Sequence, residues 1–418
     1  MSVRHWLPAS RVRLNLVRVK RNFVTSPIYI PWDEKLAEYN FGPEHPLAPV
    51  RVLLAMRLAK DLGIIAGENF FGPVTPATRA QILRAHSAEY IDAVMKAGSN
   101  PELTALEFGL GSSDNPIFAG MHEASARVSG ATLMAANAVW NGAAIHAVNL
   151  AGGLHHSQRE RASGFCIYND IAVAIYELLE QGAQRIAYID IDAHHGDGVA
   201  NIFYDDPRVL TMSIHESPAT LFPGTGLPNE TGGPHAPGSC VNISIPAGTG
   251  DQGWLRAFVS VFPPIVDVFA PEIIFSQNGV DSHLHDPLTH LAVSVDGQRY
   301  AYELIHQLAH RHGGKLVAVG GGGYDIADAV PRSWANLLAV VTDSDVPKDV
   351  AIPRDYLQYV QESLGVESGR GLSDGARPWA KPLDQGFNDR DRLDASIMAT
   401  RLACFPFFGL DPEVNSWF

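Results

Sequence analysis

Cysteine is scarce in this chain: three residues in 418, Cys166, Cys240 and Cys404, odd in number and far apart. That excludes a disulfide framework and a C-x-x-C metal site, and points to a reducing compartment, expected to be the cytoplasm. A G-x-S-x-G elbow is missing, and Cys166 has no evident base dedicated to it, so covalent catalysis is the weaker mechanism. No fixed-period repeat and no low-complexity linker divides the chain. Acid is missing from residues 1–24, which hold Arg4, Arg11, Arg13, Arg18, Lys20 and Arg21. Arginine interrupts every apolar run there, so no secretory h-region forms, and a flexible arm or extended start is favoured over a transit peptide. The whole chain carries −14, and the part beyond the arm has 25 basic against 45 acidic residues, or −20. Such a body does not attract nucleic acid and suits cationic substrates such as lysine-rich peptides or amines.

Charge is also missing from Val128 to Gln158. Asn137, Asn141, His146 and Asn149 interrupt that stretch, and Asn141-Gly142 is a turn signal. A helix, a turn and a buried strand therefore explain it better than a membrane span does.

What the sequence does contain is a strand–loop–helix alternation. Buried strands are expected at 144–150, 185–191, 209–214, 240–245, 273–277 and 315–319, with helices at 116–139, 171–180, 254–268 and 297–311. Apolar strands alternating with helices imply an α/β fold: a single domain with a mainly parallel sheet and helices on both faces. Parallel strands deliver all their C-terminal ends to one edge. Gly152-Gly153 with His155-His156, then Asp192 and His194, His215-Glu216, Gly279-Val280-Asp281 and Gly320–Tyr324 all follow strands. The catalytic domain is read as 25–345, after the 1–24 arm. Residues 346–418 are read as a C-terminal extension without its own chemistry, with a helix within 350–366.

The run Asp190-Ile191-Asp192-Ala193-His194 puts Asp190, Asp192 and His194 on one side of a strand's end. By itself this pattern reads equally as a hydrogen-bonded polar turn. Asp192, His194 and Asp281 make a three-ligand set that leaves positions for water and substrate, as catalytic zinc sites do. The mixed oxygen and nitrogen donors would also accept Fe²⁺, Co²⁺ or Mn²⁺. Of His155 and His156, one can serve as general base and the other as hydrogen-bond donor, with Asp190 and Asp197 available to orient them. Metal-assisted hydrolysis fits this set, since the metal lowers the pKa of water to about 7 and polarises a carbonyl. The glycine run before Tyr324 is no phosphate loop, because no Lys-Ser/Thr follows it. It would let the tyrosine hydroxyl reach a developing oxyanion.

These motifs, with Gly164-Phe165-Cys166, Asn169-Asp170, His195-Gly196-Asp197-Gly198, Phe222–Gly226 and Asp286-Pro287-Leu288, resemble the zinc-dependent histone deacetylase family in order and spacing from about Phe41 to Val340. Tyr39–Pro46 with Arg51 most resembles the bacterial acetoin-utilisation branch. The resemblance implies an arginase/deacetylase fold and hydrolysis of acyl-lysine amides. It implies Asp192, His194 and Asp281 as ligands of Zn²⁺ (or Fe²⁺), and His156, held by Asp197, as general base and acid. His155, held by Asp190, would assist, and Tyr324 would polarise the acyl carbonyl. Gly164, Phe165, Phe222 and Leu288 would bound the acyl-lysine chain, and Asp114 would bind substrate backbone at the rim. Structural K⁺ is implied at Asp190, Asp192, His194, Ser213 and Ile214, with a second site around Phe203, Asp206 and Val209. The partner is an acetylated protein or a small acetylated amine such as an acetylpolyamine, with no nucleic acid and no membrane involved. The sequence leaves oligomeric state open. A binuclear ureohydrolase is weakened because Asp281-Ser282-His283 lacks a second carboxylate two residues after the first. An acyl-lysine-binding pseudoenzyme is disfavoured because every expected catalytic group is present.

Overall fold

In the computed structural model, eight short strands rich in β-branched residues form one sheet in which every pairing is parallel. The structure describes residues 28–65 and 71–414, and the basic arm at 1–24 lies outside them. The strands are β1 Ile28–Pro31, β2 Phe71–Gly72, β3 His146–Asn149, β4 Ile186–Asp190, β5 Val209–Glu216, β6 Cys240–Ile245, β7 Ile273–Gln277 and β8 Leu316–Val319. Their order across the sheet is β2-β1-β3-β8-β7-β4-β5-β6. All six expected strands are present. The third runs two residues further, so His215 and Glu216 lie within it.

The helices among the described residues are α1 Val50–Asp61, α2 Arg79–Ile82, α3 Ala88–Ser99, α4 Met121–Trp140, α5 Asp170–Glu180, α6 Asp197–Ile202, α7 Asp251–Phe269, α8 Val295–Arg311, α9 Ala329–Val341, α10 Arg354–Leu364 and α11 Arg392–Cys404. Polar side chains start several of them. Asn169 accepts from the Ala172 amide at α5, and Ser294 accepts from Gly297 at α8. Side-chain alternation then divides the core in two. Ala187 and Ile189 of β4 pack with α7, α8 and α9, whereas Ile186 and Tyr188 pack with α4 and α5. Strands buried on both faces lack an alternating pattern, which is why they read as continuous apolar runs.

Register sets up the site. Asp190 at the end of β4 lies opposite Ser213 of β5 and Gln277 of β7, and Gln277 lies opposite Val319, which lies opposite Asn149. One level of the sheet therefore marks the rim from which the site loops leave.

At the far side, α11 covers the free edge of β6. The Ser396 hydroxyl donates to the Ser244 carbonyl, Thr400 Oγ1 donates to Asn242 O at 2.6 Å, and Cys404 Sγ donates to Cys240 O at 3.8 Å. Four residues of helix advance about 6 Å and two residues of strand roughly 6.6 Å. The two periods match closely enough for one helix stripe to follow alternate strand carbonyls.

Candidate active site

The end of β4, the loop after it and the first residue of α6 carry Asp190, Asp192, His194 and Asp197, and the sheet brings Asp281 to them. His194 Nδ1 lies 3.1 Å from Asp192 Oδ1 and 2.9 Å from Asp281 Oδ2. The other oxygen of each acid is already held. Gln277 Nε2 at 2.7 Å and the Gly322 amide at 2.8 Å donate to Asp192 Oδ2, and the Ala193 amide donates to Asp281 Oδ1 at 2.8 Å. The loop must pass close: a Cβ on Gly322 would sit 2.1 Å from Asp281 Oδ2. One donor atom from each of Asp192, His194 and Asp281 lies within 4.8 Å of the others, and all three residues are buried.

This set fits a divalent cation. Burial opposes charge on His194, yet Asp281 and Asp192 outweigh it and hold its pKa well above the usual value. Burial and the neighbouring Asp192 push Asp281 up to about 8. Both shifts say that two buried carboxylates here call for a positive partner, which a cation with oxygen and nitrogen ligands supplies.

Beside them the histidine pair is fixed from behind. Asp190 Oδ2 lies 2.8 Å from His155 Nδ1 and also accepts from the Tyr188 hydroxyl at 2.6 Å. Asp197 Oδ1 lies 2.6 Å from His156 Nδ1, while its Oδ2 accepts from Gln158 Nε2 at 2.7 Å. The two Nε2 atoms meet at 3.0 Å. Burial opposes protonation of His155, but Asp190 and Asp192 carry its pKa up to about 9. Burial and then the adjacent His155 push His156 down to about 4, so His156 is the member that presents a lone pair.

The cleft above is lined by His155, His156, Gly164, Phe165, Asp192, His194 and Tyr324, among others. Phe165 takes a left-handed backbone (φ 66°), and Tyr39 pins that turn by donating to Phe165 O at 2.7 Å and accepting from the Ile167 amide at 3.0 Å. Gly164 is wedged against the His156 ring, where a Cβ would lie 2.3 Å from Cδ2. Its amide donates to Asp114 Oδ2 at 2.9 Å, which brings the expected rim aspartate to the same loop. The half-exposed Phe222 ring stands edge-on to His156 at 5.0 Å, and Phe165 stands edge-on to Tyr324 at 5.8 Å. Asp286 accepts from both the Leu288 and Tyr324 amides, at 2.9 and 2.8 Å, and so ties the Leu288 segment to the tyrosine.

Sequence reasoning missed Gln277 and gave no role to Asp286, Tyr39 or Arg51. Arg51 Nη1 donates to Gly323 O at 2.8 Å, anchoring the glycine run before Tyr324. Cys166 is buried, and burial holds its thiol well above the usual range, which disfavours a thiolate nucleophile. At the expected potassium positions, Ser213 Oγ lies 2.9 Å from His215 Nδ1, and Asp190 Oδ1 accepts from the Asp192 amide at 3.1 Å. Ile214 sits in β5 next to Ser213. In the second group, Val209 N donates to Asp206 O and Asp206 N to Phe203 O, while the Asp206 carboxylate is engaged by Arg208.

The histone deacetylase domain family matches residues 45–341. The chain belongs to the histone deacetylase family. Within it the chain falls in the bacterial AcuC branch. It is 43% identical to the acetoin utilization protein AcuC of Bacillus subtilis (strain 168) over 359 residues, covering 85% of this chain and 90% of that protein. The AcuC protein of Staphylococcus aureus (strain MRSA252) is 38% identical over 318 residues, 75% of this chain and 82% of the relative. A histone deacetylase homologue from Aquifex aeolicus superposes with a TM-score of 0.77 at 30% identity, over 89% of this chain and 99% of the other. A homologue crystallised with SAHA gives 0.76 at 28%, with the same coverage. The all-parallel α/β sheet is therefore the fold of this family's solved members. The chain is a deacetylase-family hydrolase of acetyl amides, and the family implies a divalent metal and an acetylated substrate. No helix among the described residues is long and apolar enough to cross a membrane.

Proposed function

We propose that this chain is a protein lysine deacetylase that releases acetate from acyl-lysine side chains in the cytoplasm. The observation that carries this reading is the convergence of Asp192, His194 and Asp281 beside two imidazoles backed by Asp190 and Asp197. Asp192, His194 and Asp281 would hold Zn²⁺, with Fe²⁺ as an acceptable substitute, and that ion would lower the pKa of a water and polarise the acyl carbonyl. His156, unprotonated and aimed by Asp197, takes the proton of the attacking water and returns it to the leaving amine. His155, charged and paired to Asp190, supplies positive potential beside the developing oxyanion. The Tyr324 hydroxyl donates to that oxyanion. Phe165, Phe222 and Gly164 enclose the lysine methylenes, Leu288 shields the outer chain, and Asp114 accepts from substrate backbone amides. K⁺ at Asp190, Asp192, His194, Ser213 and Ile214 would brace the ligand loop, and the Phe203–Val209 turn would hold a second ion.

The Phe165 and Phe222 rings beside Tyr324 and His156 support a lysine chain, whereas the acidic composition accommodates polyamines as well. Steady-state acetate release from acetyl-lysine peptides and from acetylpolyamines distinguishes them. We expect kcat/KM at least tenfold higher on peptides, loss of turnover with chelator, and recovery on adding Zn²⁺. A preference for acetylpolyamines would overturn the protein-substrate reading while leaving the amide hydrolysis intact.

A further inference from the structure

At the opposite rim of the sheet, three histidines converge. His146 opens β3, and His306 and His310 stand one turn apart on α8. The ring centroids of His146 and His306 are 4.6 Å apart, those of His146 and His310 5.0 Å, and those of His306 and His310 4.5 Å. One ring nitrogen from each lies within 4.8 Å of the others. The i and i+4 spacing on a helix puts two imidazoles on one face, and the strand start supplies the third.

The tautomer of His146 is fixed. Its Nδ1 lies 3.0 Å from the Val341 carbonyl, which can only accept, so Nδ1 carries the hydrogen. Burial pushes the His146 pKa down to about 4, so Nε2 carries none at neutral pH. That Nε2 is buried and has no hydrogen-bond partner, and the residue is 1% exposed. An unpartnered lone pair costs free energy that a ligand can recover. A histidine whose second nitrogen donates to a backbone carbonyl has the arrangement typical of a metal ligand.

We propose that His146, His306 and His310 form a second metal site, for a late first-row divalent cation such as Zn²⁺. Two nitrogens on a tetrahedral zinc ion stand about 3.3 Å apart, close to the 3.1 Å between Nε2 of His306 and Nε2 of His310. Burial drives His306 down to about 3, which keeps that imidazole neutral, as ligation needs. The exposed His310 leaves an entry path, and water can complete the coordination. A bound ion would tie the start of β3 to α8, far from the acids at the C-terminal rim.

The test is metal content of the full chain after equilibration at micromolar free Zn²⁺ and desalting. Two zinc ions per chain are expected in the wild type and one in His310→Gln, with acetate release within about twofold of wild type. His310 lies at the surface, so this variant folds without a core defect. A thermal melt provides the second readout: added Zn²⁺ should raise the wild-type Tm further than that of His310→Gln. A single zinc in the wild type would overturn the site, and so would two zinc ions in both proteins. Loss of the catalytic ion in Asp281→Asn, with the second ion retained, keeps the two sites distinguishable.

Discussion

Tyr324 keeps its proton because burial first, and then the charges of Asp281 and Asp192, hold the phenol well above its usual range. A hydroxyl in that state is a donor, and Arg51 and Asp286 together hold the Gly323–Tyr324 peptide that leads into it. Tyr324→Phe should retain metal and lower turnover on acetyl-lysine peptides by about 10²–10³-fold. Metal analysis and acetate release measure this, and unchanged turnover would remove Tyr324 from the chemistry. The candidate ligands Asp192 and His194 are legible because they sit in one short run, and the His155-His156 pair is conspicuous. Gln277 was not. A lone glutamine at a strand's end looks like any other, and its hold on Asp192 follows from pairing opposite Asp190, which only the sheet register creates.

Between elements, His86 joins the segment after α2 to the start of α5. Its Nδ1 donates to Gln158 O at 3.0 Å, and its Nε2 accepts from the Asn169 amide at 2.9 Å. The fully buried ring must stay neutral to do both, and burial lowers its pKa from 6.5 to about 4. The sign follows. Below about 6.5 the unfolded chain takes up a proton that the folded chain refuses until about pH 4. The stability His86 contributes is complete above 6.5 and is lost as pH falls towards 4, up to roughly 3 kcal/mol in all. Urea midpoints at pH 7 and pH 5 should fall more steeply for wild type than for His86→Gln, and equal slopes would refute the assignment. Long helices lying between apolar strands were foreseen, α4, α5, α7 and α8 among them. Two strands of four and two residues, β1 and β2, offered too short a pattern. Helix α9 keeps its polar Arg332, Ser333 and Asn336 buried, bonded to Asp328, Gln298 and the Leu372 carbonyl, so that stripe does not read as a solvent face.

For the molecule as a whole, a single strand direction separates two rims. The deacetylase loops occupy one, and the histidine trio the other. The ends of the sheet are a different matter, since an open edge is a template for pairing with another chain. Shortening the chain to end at residue 390 removes α11 and should cause association on concentration, seen as rising light scattering while far-UV circular dichroism keeps most of its strand signal. A truncated protein that stays monodisperse would show that α11 has no such role. The three hydroxyl and thiol groups on its inner stripe act as a row of stoppers. They imitate, group by group, the neighbour that β6 lacks, so the sheet stops growing because its own chain has already filled the vacancy.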